Sequence, residues 1–156
     1  MNHAIETVDG SDSPGVPARK EFRRWAKLAL AGQPQARQLA IRIVGREESR
    51  ELNQRYRDRD RPTNVLSFPA DLSDHPAARL DVLPLGDLVI CAPLVLEESR
   101  SQKLEASHHW AHLTVHGVLH LLGYDHDTEE RAAVMEGLEA VLLDKLGIAD
   151  PYRTEA

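Results

Sequence analysis

Cysteine is almost missing from this sequence. A single residue in 156, Cys91, excludes an intramolecular disulfide. A chain of this length is long enough for one domain with a real core, and short for two. Long apolar runs are missing too: none approaches the roughly 20 residues that a membrane-spanning helix needs. The opening residues, MNHAIETVDGSDSPG, lack the basic and apolar regions of a secretory signal. These absences predict a reducing interior, the cytoplasm, and no membrane. No internal repeat or low-complexity segment is visible. Positive charge is not in excess either: the formal net charge is −6, which argues weakly against a nucleic-acid partner. Its distribution matters more. Residues 121–156 hold nine acids and three bases, whereas residues 1–120 hold sixteen of each. Local positive surface is therefore possible, as in RYRDRDR at 55–61, and charge alone leaves the partner open.

What is present reads as alternating strands and helices. AIETV (4–8) predicts a short strand, and DGSDSPGVP (9–17) a turn-rich stretch, so residues 1–17 are expected to be partly irregular. ARKEFRRWAKLALA places Phe22, Trp25, Ala26 and Ala29 at helical spacing, and Gly32 and Pro34 stop it. QLAIRIVG alternates Leu39, Ile41 and Ile43 as a strand does. REESRELNQRYR (46–57) reads as a polar-faced helix anchored by Leu52 and Tyr56, and TNVLSFP (63–69) as a short strand. Residues 71–85 read as an irregular surface loop, and GDLVICAP (86–93) as a central strand. In that strand Cys91 reads as a buried small hydrophobe. From Leu94 to Leu122 the pattern is helical, with a break near Ser101. A last helix is expected from an Asp127 cap, through Glu129 and Glu130 in its first turn, to Leu146. Residues 148–156 are expected to form a flexible tail. The sum is a single α/β domain (α+β in layout) spanning 1–156. It has a small mixed sheet of about four strands packed with about five helices, and a metal site at the end of a central helix.

That metal site is read from histidines. There are eight, six of them within residues 108–126. In HGVLHLLGYDH (116–126), His116 and His120 lie one helical turn apart and point the same way. Gly123 suits the left-handed residue that ends a helix, which lets His126 return to the same point. Three neutral imidazoles with one open position make the catalytic form of a zinc site. Water bound there is acidified to about pKa 7, which suits attack on an electrophilic carbonyl or phosphorus. His108, His112, His116 and His120 are all spaced by four, and that step overshoots a turn by about 40°, so all four cannot converge. His112 is expected beside the site as an indirect or packing group, and His108 and His109 as polar helix surface. Asp125 either orients an imidazole by accepting its other N–H or is a solvated turn carboxylate. Tyr124 is either a core aromatic with a polar tip or a substrate contact.

The same spacing occurs in zinc proteases, where the residue after the first ligand is the general-base Glu. Here it is Gly117. Peptide hydrolysis has a poor leaving group and needs that proton shuttle. Phosphodiester cleavage depends more on stabilising charge on phosphoryl oxygens, which a metal and an arginine can do. The glycine weakens the protease reading without removing the metal, and does not by itself identify RNA.

HGVLHLLGYDH resembles the signature of the bacterial YbeY family, single-strand-specific metallo-endoribonucleases of ribosomal RNA maturation. LNQRYRDRDRPTNVLSFP (52–69), GDLVICAP (86–93) and HWAHLTVHG (109–117) agree with it in order, so the resemblance covers roughly residues 36–147. It implies that His116, His120 and His126 are zinc ligands and that Arg57 is the catalytic arginine facing the metal. Ser67 and Thr63 either line the cleft or are strand and turn residues. The implied function is a zinc-dependent endoribonuclease acting on single-stranded RNA, in 16S rRNA 3′-end maturation and late ribosome quality control, with the small ribosomal subunit and its proteins as partners. The nucleophile is either water or the RNA 2′-OH. Two alternatives stand beside it: a zinc-dependent hydrolase of another substrate, such as a peptide, and a non-enzymatic ribosome-associated metal-binding factor.

Overall fold

The helix at 19–29 forms where apolar residues recur at three- and four-residue intervals, and the strand at 36–44 where they alternate. In the computed structural model, which describes residues 2–72 and 81–152, the order is β1 (Ala4–Asp9), α1 (Arg19–Ala29), β2 (Ala36–Val44), α2 (Arg46–Arg57), β3 (Val65–Pro69), β4 (Val82–Cys91), α3 (Ala92–Ser101), α4 (Ala106–Leu121) and α5 (Glu129–Asp144). The strands make one four-stranded mixed sheet in the order β1-β2-β4-β3. β1 and β4 run parallel to β2, and β3 runs antiparallel to β4 at the edge. Leu39, Ile41 and Ile43 of β2 point to one face. There they join Phe22, Trp25, Leu88, Ile90, Trp110, Val118 and Leu119 in the main core. Phe22 stands edge-on to both Trp25 and Trp110, at 5.4 and 5.6 Å between ring centroids, a favoured aromatic geometry. A smaller cluster of Val44, Leu66, Val89 and Cys91 lies apart from it, with Leu52, Phe68 and Leu94 packed against it. Cys91 is buried there, as read from sequence, and burial pushes its thiol up.

The bounds of two elements need correction. The loop expected over 71–85 gives way at Val82, where β4 begins four residues earlier than predicted, and residues 73–80 lie outside the described residues. Pro84 and Gly86 read as strand breakers, but they sit at a bulge: Gln38 pairs with Pro84 and Leu39 with Gly86, so Leu85 is skipped, which is where a sheet tolerates such residues. At the other end of the strand, Ala92 and Pro93 open α3, with proline in its first turn. The cap of α5 is Thr128 rather than Asp127. Thr128 Oγ1 accepts from Arg131 N at 3.1 Å, while Asp127 pairs with the Arg131 guanidinium at 3.0 Å. The helix stops at Asp144, two residues short of Leu146. Within the stretch expected as a tail, Ile148 N donates to Leu143 O and Tyr152 Oη donates to Glu139, and residues 153–156 lie outside the described residues. The break near Ser101 is present, with Lys103 in the left-handed region between α3 and α4.

α4 crosses the middle of the domain and touches α1, α3, α5, β3 and β4. Ten of its residues are buried, so whatever it carries on its remaining face is held rigidly. Gly117 is part of the reason for that closeness. A Cβ there would lie 2.6 Å from Leu88 Cδ2 and 3.1 Å from Cδ1, so the helix packs onto β4 at a distance that a larger side chain would prevent. The position read as a missing general base points into the core.

Candidate metal centre

The geometry around α4 starts from its C-terminal end. Gly123 has φ +105°, Gly123 N donates to His120 O, and Tyr124 N donates to Leu119 O, so the helix closes on a left-handed glycine as predicted. The chain then turns back. The ring of His126 comes within 5.8 Å of the His116 ring and 6.3 Å of the His120 ring, centroid to centroid. His116 and His120 are half-buried, and His126 is exposed. Nδ1 of His120 is buried and has no hydrogen-bond partner, an arrangement that costs about 1–3 kcal/mol if nothing occupies it.

Each of the other expected residues can now be placed. Asp125 lies among the histidines, but its Oδ1 accepts from His126 N at 2.7 Å; His126 Nδ1 is 3.7 Å and His120 Nδ1 4.0 Å away. It therefore shapes the turn and hydrogen-bonds neither imidazole. The His126 N–H and the nearby positive groups hold its carboxyl below the usual range. Tyr124 is exposed and lines a hollow with Leu28, Leu119, Leu138 and Lys145 that holds none of the α4 histidines. Arg57 closes α2, which ends on Asp58 in the left-handed conformation. Its Nη2 donates to Ser67 O at 2.9 Å, Nη1 donates to Tyr56 O at 3.2 Å, and the guanidinium lies 5.4 Å from the centre of the Phe68 ring. Ser67 Oγ in turn donates to Gly117 O at 3.5 Å. A short chain of contacts thus runs from Arg57 through the edge strand to the residue beside His116.

His112 makes a contact that sequence reasoning did not foresee. Its Nε2 is 2.8 Å from Oε2 of Glu139, and His116 Nδ1 is 2.6 Å from Oε1 of the same carboxylate. Tyr152 Oη donates to Oε2 at 2.6 Å. Glu139 is fully buried. Burial pushes its carboxyl up, but the bonds from His112, His116 and Tyr152 outweigh that and hold it down at about 2. It is therefore ionised at neutral pH, a buried charge that persists because it is hydrogen-bonded. One signal was available: Glu139 lies on the buried stripe of α5 with Met135, Leu142 and Leu143, and a charge on a core stripe demands partners. His109 also departs from the surface position expected of it. It is buried, with Nε2 2.9 Å from Glu98 Oε1, an acid that also accepts from Asn64. His108 does lie at the surface, paired with Glu105.

Among the described residues, two sets of donor atoms lie close enough to hold an ion: His112, His116 and Glu139, and His120, Asp125 and His126. These groups can bind a metal, and imidazole nitrogen with carboxylate oxygen suits a divalent transition ion. Beside them runs a cavity of about 510 Å³ lined by Asn64, Val65, His109, His112, His116 and Tyr152. Larger hollows of about 830 and 700 Å³ hold none of the α4 histidines. The smaller cavity takes in His112 and His116 of the first donor set, whereas His120, Asp125 and His126 of the second do not line it.

The chain is similar to known proteins over nearly its whole length. A family model described as endoribonuclease YbeY matches residues 11–147, beginning well before the motif blocks at 36. A protein of that name from Alkalilimnicola ehrlichii is 55% identical over 144 residues, covering 90% of this chain and 85% of the relative. Its namesake from Acinetobacter baumannii is 56% identical over 127 residues, covering 81% and 80%. The solution structure of TM1509 from Thermotoga maritima shares the fold, with a TM-score of 0.58 at 21% identity over 96% of this chain and 99% of that one. The histidine block, the PTNVLSFP strand and the fold that joins them have one common source: the chain belongs to the endoribonuclease YbeY family.

Proposed function

We propose that this protein is a zinc-dependent endoribonuclease that cuts single-stranded RNA in the cytoplasm. Its setting is 16S rRNA 3′-end maturation and late ribosome quality control, and its partners are the small ribosomal subunit and associated proteins. The observation that carries the reading is the return of His126 to the His116/His120 pair in a chain of this family. No described helix is long and apolar enough to cross a membrane.

In this reading His116, His120 and His126 hold the ion, and the unpartnered Nδ1 of His120 supports a missing occupant there. A zinc ion so held supplies Lewis-acid stabilisation of charge on phosphoryl oxygens. Arg57 binds the scissile phosphate: its guanidinium is always charged and planar, and can grip two oxygens at once. The Ser67 carbonyl and the Phe68 ring restrict its rotamers before RNA arrives, so less freedom is lost on binding. His112 and Asp125 stand next to the ligands and shape their surroundings. The peptide alternative would need a proton shuttle at position 117, where the structure has a glycine facing Leu88.

The test pits substrates against each other. Single-stranded RNA, double-stranded RNA and a peptide are incubated with the protein, with and without chelator, beside His120→Ala and Arg57→Ala. Only single-stranded RNA should be cut, and chelation or either substitution should stop it. Cleavage that survives both chelator and His120→Ala would sink the metal mechanism. A cyclic phosphate end on the product would identify the RNA 2′-OH as nucleophile, and its absence would identify water.

A further inference from the structure

Glu139 is the one carboxylate among the described residues that is wholly buried, and no step above uses it. Three hydrogen-bonding groups surround its two oxygens, and an oxygen approached by two of them at once can only accept, so these partners present N–H or O–H groups. His116 Nδ1 at 2.6 Å, His112 Nε2 at 2.8 Å and Tyr152 Oη at 2.6 Å therefore all carry protons toward it. For His116 this fixes the tautomer. With Nδ1 protonated, Nε2 keeps its lone pair and is the nitrogen left to face an ion. The bond also sets the ring's rotation about its axis.

We infer that Glu139 is the positioning residue of the metal centre: it locks His116 as the Nδ1–H tautomer and aims its Nε2 at the ion, while Tyr152 holds the carboxylate from the other side. This rests on the proposed ligand set of His116, His120 and His126. Outer carboxylates of this kind orient a ligating imidazole and raise its basicity. Glu139 acts through His116 rather than as a ligand, because both its oxygens are already taken up by three donors. Coordinating an ion through it would strip His116 of the bond that orients it.

Three measurements test this. In metal-free protein at alkaline pH, nitrogen NMR shifts should report His116 protonated on Nδ1. Glu139→Met keeps the buried volume and removes the acceptor, so the His116 signal should shift toward a tautomer mixture and cobalt(II) affinity should fall about 10–100-fold. Glu139→Gln, which retains one accepting oxygen, should recover part of that loss. The visible spectrum of the cobalt form should keep its shape in Glu139→Met, because no ligand is lost. An Nε2–H tautomer for His116 in the wild type would overturn the inference. So would cobalt affinity in Glu139→Met within twofold of wild type, or a changed cobalt spectrum that marks a lost carboxylate ligand. His120→Ala separates the two layers of argument: it should abolish cobalt binding and leave the His116 tautomer as in wild type. Full cobalt binding by His120→Ala would instead fault the ligand set on which the inference stands.

Discussion

Replacing Gly86 with alanine should injure this protein out of proportion to one added methyl group. Gly86 has φ +144°, a region that is essentially closed to residues with a Cβ, and forcing alanine into it costs on the order of 1–3 kcal/mol. The added Cβ would also lie 2.3 Å from Phe68 O, 3.0 Å from Pro69 Cα and 3.1 Å from Ala70 N. All three are backbone atoms that no rotamer change can move. β3 would have to lift away from β4, weakening the Ala70 N to Leu85 O bond and neighbouring ladder bonds at about 1 kcal/mol each. The expected loss is about 3–5 kcal/mol, at the severe end for a single substitution. In urea, with a slope of about 2 kcal/mol/M, the midpoint should fall by roughly 2 M. Gly137→Ala is the internal contrast. That glycine lies within α5 with nothing within 4 Å of the added Cβ, so the same exchange should raise stability by up to about 1 kcal/mol. If Gly86→Ala moved the midpoint by less than about 0.5 M, the bulge and its contact with β3 would be wrongly described. The damage should also reach activity, because β3 carries the Ser67 carbonyl that holds Arg57.

Three other outcomes follow from the site. Arg57→Lys keeps the charge but loses the fork that reaches Ser67 and a phosphate together, so single-turnover RNA cleavage should slow by about a hundredfold. Metal should stabilise the fold by about 3 kcal/mol when it is present at a hundred times its Kd; chelation should remove that gain, and His120→Ala should show none of it in urea denaturation. In the metal-free protein the acid limb of stability should carry the mark of Glu139. Its folded value of about 2 lies below that of the unfolded chain, so its contribution is complete above about pH 4.5 and is lost as pH falls toward 2. It amounts to about 3 kcal/mol, and urea denaturation across that range should show a flatter limb for Glu139→Met.

Local patterns were legible in the sequence, whereas features that depend on distant partners were not. The helical stripe of Phe22, Trp25, Ala26 and Ala29 and the alternation of Leu39, Ile41 and Ile43 both appear as read, because each depends only on its own period. The helix that carries His116 and His120, its glycine stop and the chain's turn back at His126 were likewise readable, since eleven consecutive residues contain all three. The start of β4 was missed because Pro84 and Gly86 break strands unless a bulge accommodates them, and a bulge is a property of two strands together. Gly117 was read through what it lacks, and only the packing of α4 on Leu88 shows what the lack permits. Glu139 stood on a visible apolar stripe, but its three donors come from α4 and from the segment beyond α5, and no spacing rule connects them.

The clasp made by Tyr152 sets an order of assembly. Synthesis runs from the amino end, so α4 with His116 and His120 is made first, His126 next, then Glu139, and the phenol that caps Glu139 last of all. A chain truncated after α5 would keep the main core and all three histidines, yet its buried carboxylate would be short of one donor. The last donor to Glu139 is thus made after the helices that carry the histidines and the carboxylate, on a segment whose Leu146 and Ile148 also pack against the main core.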